Sequence, residues 1–450
     1  MLPVVTPEEM AEIDRRAPEA VEVLIRRAGR AVARAAIEVM GGAYGRSVVV
    51  VAGKGNNGND GRDAARRLRA RGVRVRVLDA AAVGPGERLD DCALVIDAAY
   101  GTGFRGEYVA PDPGDAPVLA VDIPSGVNGL TGAAGDGAVR AAATVTFAAL
   151  KPGVLFEPGR ALAGPVTLAD IGLDCSQARV HLVEASDVEA WLPQRPADAH
   201  KWRSAVWIVA GSDGMHGAAA LASGGAQRAG AGYVRLSSPG ADLGGAAPVE
   251  VVRTELPRAG WDRSVLDGLD RFKALVVGPG LGTDAATAPS VQRVVHESTV
   301  PTVIDGDGLT ALGKDIARHT HPLTVLTPHD GEYERLTGHP PGVDRIAAAR
   351  SLATSTNATV LLKGPTTVVA DAQGNVLLTT AGDARLATAG TGDVLSGIIG
   401  ALLAQGVPPL RAAAAGAWLH GRAAALGSRR GLIAGDIIEQ LPAVFDELEG

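Results

Sequence analysis

Apolar residues recur along the first 150 positions in two alternating patterns, one with helical spacing and one continuous. Within residues 21–39 the apolar positions share one helical face: Val21, Leu24, Ile25, Ala28, Val32, Ala35, Ala36 and Val39. Continuous apolar runs occupy 47–53, 73–78, 93–98, 118–123 and 143–148, and a second helical pattern lies near 62–71. Apolar runs separated by helices are typical of a parallel sheet covered on both faces, so this region predicts an α/β domain.

The same alternation begins again after residue 200. Continuous apolar runs occupy 205–212, 273–280, 301–308, 323–329 and 359–364. Residues 366–380 contain two β-rich halves around a Gly-Asn turn and predict a hairpin. Helical patterns near 392–405 and 409–426 are predicted to close the chain, so a second α/β domain is expected.

The segment WLPQRPADAHKW, at 191–202, separates the two regions. It has two prolines, mixed charge and no periodicity, which indicates a domain boundary. A chain of 450 residues exceeds the usual size of one domain. We therefore predict one domain at 1–195 and another at 200–450.

Composition narrows the class of protein. Aromatic residues are only 3% of the chain, so Val, Leu, Ile and Ala must fill the cores. The net charge of −7 offers no basic surface for nucleic acid or an anionic membrane. No membrane-length apolar run or secretory signal is present, so a cytoplasmic location is expected. Cys92 and Cys175 have no metal-ligand spacing and predict neither a disulfide framework nor a zinc site. A homo-oligomer is expected.

The segment GKGNNGNDG, at 53–61, follows a predicted strand and precedes a predicted helix. Glycines let a backbone approach a ligand, and the amides at a helix N-terminus favour negative charge. The segment matches neither the dinucleotide fingerprint nor a Walker loop. It is interpreted as an anion or nucleotide loop, with a merely tight turn as the alternative.

Polar residues also follow two further predicted strands. Asp97 ends one run, and Asp122 and Ser125 follow another. Ligands of open parallel sheets bind beyond the carboxyl ends of the strands, where these side chains could meet Asn57. Either aspartate alone is about equally well explained as a turn or helix cap.

Four motifs carry a resemblance to a known family: GKGNNGNDG, DAAYGTGFRGE, DIPSGVNG and TFAALKPG. Together they resemble the NAD(P)HX epimerase domain, which is Rossmann-like, over most of residues 1–190. The resemblance implies that the nicotinamide hydrate contacts Asn56, Asn57, Gly58, Asn59, Asp60, Gly101, Thr102, Gly103, Phe104, Arg105, Gly106, Glu107 and Asp122.

The resemblance also implies a potassium ion and a proton-transfer residue in this domain. Asn57, Asp97 and Ser125 would hold the ion, since oxygen donors suit a hard cation. Asp122 would transfer protons as R and S hydrates interconvert. Lys151 could assist, or it is an ordinary surface lysine. The family usually has Gly where this chain has Asn59, which can also adopt positive φ.

The segment AGTGDVLSGIIGALLAQG, at 389–406, opens a long apolar helix with two glycines and a carboxylate. Gly390 and Gly392 free the backbone, so helix-start amides can stabilise a transferring phosphate. Asp393 is placed to take a proton from a substrate hydroxyl, and a helix cap by Thr391 or Asp393 is compatible with that role. The GTGD pattern resembles the ribokinase-like superfamily.

Further segments are similar to the NAD(P)HX dehydratase domain over nearly all of 200–450: residues 200–222, 276–282, 303–309, 327–332 and 363–369. By that resemblance Ala218, Gly280, His329 and Asp393 contact the hydrate. The nucleotide contacts are Lys363, Gly364, Pro365, Thr366, Thr367 and Gly392. Two departures stand out: the family commonly reads DADAL where this chain has DGDGL at 305–309, and PVEVV at 248–252 imperfectly matches a Pro-Glu pair.

The two resemblances together imply repair of hydrated nicotinamide cofactors. One domain would epimerise R- and S-NAD(P)HX, and the other would dehydrate the S form to NAD(P)H, converting ADP to AMP and phosphate. The implied ligands are NADHX or NADPHX, potassium, and ADP with Mg²⁺, with ATP as the alternative nucleotide. Two other readings stay open. One is a small-molecule kinase, for a vitamin or sugar, fused to a Rossmann-like ligand-binding domain. The other is a nonenzymatic ligand sensor.

Overall fold

The computed structural model of the chain describes residues 1–104, 106–242 and 247–449. Its internal contacts divide it into two compact units, Leu2–Val180 and residues 181 onward together with Met1. Residues 181–195, which the sequence analysis assigns to the first domain, therefore belong by their contacts to the second unit. No helix among the described residues is both long and apolar enough to cross a membrane.

The N-terminal unit is built on a six-stranded parallel sheet, as the alternating pattern predicts. Its elements are β1 (Leu2–Val4), α1 (Pro7–Arg16), α2 (Val21–Met40), β2 (Ser47–Ala52), α3 (Asn56–Arg69), β3 (Arg74–Asp79), β4 (Leu94–Ala98), β5 (Val118–Val121), β6 (Ala143–Phe147), a 3₁₀ turn (Pro152–Val154), α4 (Gly159–Ala163) and β7 (Val166–Ala169). The strand order is β3-β2-β4-β5-β6-β7, and every paired strand is parallel.

Helix α3 lies unusually close to the sheet. A side chain at Gly58 would meet the carbonyl oxygen of Gly53, and one at Gly61 would meet the methyl group of Ala98. Both glycines therefore permit close packing of helix on strand. Most of the predicted face of α2 is buried or half-buried, but Val21 is 49% exposed and lies outside the core.

The second unit contains a larger mixed sheet. Its elements are β8 (Val180–Leu182, beginning on the last residue of the first unit), α5 (Ala185–Trp191), β9 (Ala205–Val209), α6 (His216–Arg228), β10 (Tyr233–Ser237), β11 (Val252–Arg253), α7 (Asp262–Asp267), β12 (Ala274–Val277), α8 (Thr287–Glu297), β13 (Thr302–Ile304), α9 (Asp307–Leu312), β14 (Thr324–Leu326), α10 (Asp330–Thr337), α11 (Arg345–Thr356), β15 (Thr359–Leu362), β16 (Thr367–Ala370), β17 (Val376–Thr379), α12 (Thr391–Ala404), α13 (Pro409–Leu426) and α14 (Ala434–Glu449), with 3₁₀ turns at Lys201–Ser204, Leu269–Arg271, Gly313–Arg318 and Ala384–Leu386.

Nine of these strands lie in the order β17-β16-β15-β14-β13-β12-β9-β10-β11. They pair in parallel from β11 to β15, and β15, β16 and β17 are antiparallel. The predicted hairpin is therefore confirmed. Helix α12 packs against α6 so closely that a side chain at Gly397 would collide with the carbonyl oxygen of Ala222. The prediction that the chain closes with α13 was wrong, because α14 follows and buries Ile437, Leu441 and Val444.

Candidate active sites

A cavity of about 900 Å³ lies at the carboxyl ends of the N-terminal unit's strands. Nine residues singled out from the sequence form part of its wall: Asn56, Asn57, Asp60, Gly101, Thr102, Gly103, Phe104, Asp122 and Lys151. Gly58, Asn59, Gly106 and Glu107 are not part of it, and Arg105 lies outside the described residues. Met10 and Asp14, from α1, also line the cavity and were missed because no local pattern in α1 indicates a site.

The GKGNNGNDG segment is not a loop that precedes a helix. Helix α3 already begins at Asn56 with Gly55 as its N-cap, so the two asparagines form its first turn. Asn59 lies inside this helix and is absent from the non-glycine residues with positive φ. The ability of Asn to adopt positive φ is therefore not needed at Asn59, because a helical position has negative φ.

Asp122 and Lys151 form a buried ion pair at the floor of the cavity. The Lys151 ammonium lies 2.6 Å from a carboxylate oxygen of Asp122, and Lys151 is only 1% exposed. The hydroxyl of Thr146 donates to Asp122 (3.0 Å) and accepts from Lys151 (3.0 Å). The alternative of an ordinary surface lysine was wrong, since Lys151 holds Asp122 in place.

The backbone at Asp122 is itself unusual. Its φ is 69°, and the amide of Ile123 donates to the carbonyl of Val121 (2.9 Å). This is a tight turn of three residues with positive φ at its centre, a strained form. The same arrangement recurs one strand further on, at Ala148, whose φ is 62°. The two turns place Asp122 and Lys151 beyond the ends of β5 and β6.

Asp14, Asp60 and Asp79 are further carboxylates of the cavity, and none of them has an ion pair among the described residues. Burial, followed by repulsion from Asp122 and Asp63, raises the pKa of Asp60 to about 8. Burial also raises the pKa of Asp14, although Lys151 opposes the shift. Asp60 therefore carries a proton at neutral pH, beside an Asp122 carboxylate that is ion-paired.

Two of the three expected potassium ligands contact each other. The hydroxyl and the amide of Ser125 donate to the Asp97 carboxylate at 2.7 and 2.8 Å. Burial raises the pKa of Asp97 to about 6. Both polar side-chain atoms of Asn57 are buried without a hydrogen-bond partner. An unpartnered amide oxygen and a buried carboxylate suit a cation, so these residues fit a potassium ion.

The second site lies at the start of α12. Gly390 is the N-cap with φ of 89°, a left-handed conformation that suits glycine, and Asp393 lies in the first helical turn. Burial, followed by repulsion from Asp305, raises the pKa of Asp393 to about 7. No hydrogen bond or ion pair engages its carboxylate within the described ranges. At neutral pH Asp393 can thus both accept and release a proton.

Lys363 forms ion pairs with two carboxylates. Its ammonium lies 2.9 Å from Asp305 and 3.5 Å from Glu332. The hydroxyl of Ser396 in α12 also donates to Asp305 (2.8 Å). Burial opposes ionisation of Asp305, but Lys363 and these hydrogen bonds outweigh it and lower its pKa. Asp305, at the end of β13, thus contacts both Lys363, at the end of β15, and Ser396 in α12.

The other expected residues of this site fall into two groups. Ala218 and Gly280 are neighbours, since a side chain at Gly280 would touch the Ala218 methyl group. His329 caps α10: its Nδ1 accepts from the amides of Gly331 (3.0 Å) and Glu332 (3.3 Å). The His329 side chain is nevertheless 54% exposed, so its other face can meet a ligand.

Residues 363–367 connect β15 to β16, the two antiparallel strands at the site. Arg345, which sequence analysis missed, donates to the carbonyl of Lys363 (2.7 Å) and pairs with Asp330 (2.8 Å). It thereby fixes the beginning of the segment expected to hold the nucleotide. An isolated arginine in an ordinary helix gives no sequence signal of this role.

Both units are similar to known proteins. The second unit has the fold of a ribokinase-like superfamily protein from Enterococcus faecalis, at 23% identity and a TM-score of 0.54, over 60% of this chain and 96% of that one. The chain is thus a Rossmann-like unit joined to a ribokinase-like unit. Residues 206–442 match a family model described as NAD(P)H-hydrate dehydratase. Residues 21–90 and 79–153 match one described as YjeF-related protein N-terminus.

Full-length relatives give the particular family. The bifunctional NAD(P)H-hydrate repair enzyme Nnr of Mycobacterium leprae is 40% identical, over 90% of this chain and 89% of its own. That of Moorella thermoacetica is 35% identical, over 99% and 97%. The chain belongs to the family of bifunctional NAD(P)H-hydrate repair enzymes. An ADP/ATP-dependent NAD(P)H-hydrate dehydratase from Bacillus subtilis, co-crystallized with ATP/Mg²⁺, is 31% identical with a TM-score of 0.52, over 59% of this chain and 97% of that one.

Proposed function

We propose that this enzyme repairs hydrated nicotinamide cofactors in two steps, each in its own unit. The N-terminal unit interconverts R- and S-NAD(P)HX, and the second unit dehydrates the S form at the expense of ADP. The observation that carries this assignment is that each unit ends a strand or begins a helix with a carboxylate suited to proton transfer, Asp122 in one and Asp393 in the other.

The first unit has the groups that inversion at the hydrated carbon requires. Its carbon–oxygen bond must break and re-form on the other face of the ring. A proton must therefore reach the departing hydroxyl, and another must leave the incoming water. Asp60 holds a proton at neutral pH, and Asp122 is held as the ion-paired base by Lys151 and Thr146. Such a division of roles between two carboxylates follows from their different environments.

A potassium ion held by Asn57, Asp97 and Ser125 would supply a fixed positive charge beside the cavity. The unpartnered amide of Asn57 supports this assignment. The proposed hydrate contacts that the cavity wall supports are Asn56, Asn57, Asp60, Gly101, Thr102, Gly103, Phe104 and Asp122. For Gly58, Asn59, Arg105, Gly106 and Glu107 that role rests on the family resemblance alone.

The second unit is arranged for phosphoryl transfer followed by elimination. The ring hydroxyl attacks the terminal phosphorus of ADP, the bond to AMP breaks, and Asp393 takes the hydroxyl proton. The carbon–oxygen bond then breaks, phosphate leaves with the oxygen and the bonding electron pair, and loss of a proton from the neighbouring carbon forms the ring double bond. The α12 amides stabilise the transferring charge. Ala218, Gly280 and His329 are proposed to contact the hydrate.

The proposed nucleotide contacts are Gly392 and residues 363–367, held by Arg345. Mg²⁺ bound with the nucleotide would neutralise phosphate charge. The described residues contain no cluster of three His, Cys, Asp or Glu side chains that could hold it alone, so phosphate oxygens would complete its shell. ADP in preference to ATP, a homo-oligomer and a cytoplasmic location stay predictions from the sequence.

The test starts from separated epimers. Purified full-length enzyme is incubated with R- or S-NADHX, with ADP, ATP or no nucleotide, and NADH absorbance and epimer composition are followed. S-NADHX should yield NADH only with nucleotide, and R-NADHX should pass through the S form first. Formation of a stable phosphorylated alcohol from an unrelated substrate, with no NADH from either epimer, would instead favour the small-molecule kinase.

A further inference from the structure

The cavity of the N-terminal unit extends to the end of β3, where Asp79, Ala80 and Ala81 form part of its wall. Strand β3 is parallel to β2, with Asp79 opposite Ala52. Asp79 therefore stands at the same sheet edge as the start of α3. Its Oδ1 accepts from the amide of Ala81 (3.0 Å), and the side chain is exposed with no ion pair to any described residue. One oxygen fixes the turn and the other is available to a ligand.

Three features lie in sequence along the carboxyl ends of the strands, in the order in which a dinucleotide has its adenosine ribose, its pyrophosphate and its nicotinamide. Asp79 ends β3, the N-terminus of α3 follows β2, and Asp122 follows β5, in a sheet ordered β3-β2-β4-β5. Neighbouring strands are about 4.8 Å apart, so Asp79 and Asp122 are separated by three spacings, roughly 14 Å. In doubly wound sheets that carry the dinucleotide fingerprint, the pyrophosphate lies at the helix start and a ribose lies beside an acidic residue on the neighbouring strand. The start of α3 lacks that fingerprint but has the same place in the sheet.

We propose that Asp79 makes the epimerase site prefer the hydrate of NADH to the hydrate of NADPH. The inference rests on the proposed function and deepens it. The available carboxylate oxygen accepts a hydrogen bond from the 2′-hydroxyl of the adenosine ribose. A 2′-phosphate brings no such donor and places negative charge beside Asp79. An element that repels the wrong substrate is a common basis of specificity.

The other charged residue on this part of the wall does not separate the two substrates. Lys54 directly precedes Gly55, the N-cap of α3, and so stands at the expected position of the pyrophosphate. NADHX and NADPHX share that group. Discrimination therefore falls to Asp79, which lies one strand further along the edge.

The experiment measures kcat/KM for R-to-S conversion of NADHX and of NADPHX by the full-length enzyme. The variants are Asp79→Asn, which keeps an acceptor for the Ala81 amide but removes the charge, and Asp79→Ala, which removes both. Asp136→Asn, an exposed carboxylate outside the cavity wall, is the matched control. The ratio for nucleotide-dependent dehydration of the two S hydrates serves as an internal reference in the same preparations.

The wild type should favour NADHX by about tenfold or more, a difference typical of one polar contact. Asp79→Asn should lower that ratio by about tenfold, chiefly by improving NADPHX, and leave the dehydration ratio unchanged. Equal use of the two hydrates by the wild type would overturn the proposal. So would a ratio that shifts in Asp79→Ala but not in Asp79→Asn, because Asp79 would then act only as a turn cap. Epimerisation of neither hydrate by the wild type would count against the proposed function itself.

Discussion

Each of the two units pairs a lysine with carboxylates, but the charge of the lysine acts differently in each. In the N-terminal unit Lys151 pairs directly with Asp122, the proposed proton-transfer residue. In the second unit Lys363 pairs with Asp305 and Glu332, and Asp393 is left without an ion pair in the described part of the chain. The difference teaches that a base can be fixed in place by its own counter-charge. A base can instead be left without an ion-pair partner, so that burial raises its pKa towards neutral pH.

The largest expected effect concerns the uncompensated base. Asp393→Asn should lower the rate of nucleotide-dependent NADH formation by roughly 10²–10⁴, the usual loss of a general base. Epimer exchange should stay near the wild-type rate, because Asp122 lies in the other unit. Chromatographic separation of the epimers alongside absorbance measures both. Asp446→Asn, an exposed carboxylate of α14, is the control. Equal loss of both activities in a folded protein would contradict independent sites.

Removing the counter-charge of the paired base should chiefly affect stability. Lys151→Met leaves Asp122, which is 15% exposed at the cavity wall, without its partner, a change that should cost about 3 kcal/mol of unfolding free energy, the lower end for a buried ion pair. Denaturant unfolding of the full-length protein measures the transition of the affected unit. Lys54→Met, an exposed lysine, should change stability by no more than about 0.5 kcal/mol. If the two variants proved equally stable, the Asp122–Lys151 ion pair would not contribute to the free energy of unfolding.

A smaller effect tests how the second unit holds its paired carboxylate. Ser396→Ala removes the hydroxyl that donates to Asp305, a bond to a charged group worth about 1.5–3 kcal/mol. Ser223→Ala is a matched control, because that buried hydroxyl donates only to the carbonyl of Ala219 within α6. Thermal unfolding should place Ser396→Ala clearly below Ser223→Ala. Indistinguishable transitions would mean that the Ser396 hydroxyl does not help to hold Asp305.

The smallest effect is the pH dependence of the dehydration step. The pKa of Asp393 is raised to about 7 from the usual value of 3.8, so its carboxylate is lost as the pH falls through neutrality. The rate of NADH formation should therefore be constant above about pH 8 and fall about tenfold per pH unit below 6. Single-turnover rates with saturating ADP provide the profile. A rate that stays flat down to pH 5 would show that proton removal by Asp393 does not limit the reaction.

Sequence alone predicts most strands of the two sheets, because most of them are buried on both faces and read as continuous apolar runs. It misses β7, β10 and β11, each of which contains polar or partly exposed residues. It also predicts the start of α12, where two glycines and a carboxylate coincide with a long helix. It misses α14, which has Pro442 inside it and therefore breaks the expected helical pattern.

The parts of the sites that sequence misses depend on contacts between distant segments. Nothing local distinguishes Lys151 from a surface lysine, and Asp14 lines the cavity from α1, which is distant in sequence from the other site residues. Arg345 acts through the carbonyl of Lys363. His329 is different, since its spacing to Glu332 is that of a capping box and could have been recognised.

The positive φ of Asp122 also sets which amino acids that position can tolerate. Residues with positive φ are uncommon apart from Gly, Asn, Asp and His, and β-branched and bulky residues are penalised most there. In a saturation mutagenesis screen, Asn should therefore be inactive and should keep the turn but lose the ion pair with Lys151, whereas Val and Ile should lower the yield of folded protein further. The screen would then distinguish replacements at Asp122 that lose activity from replacements that also reduce the amount of folded protein.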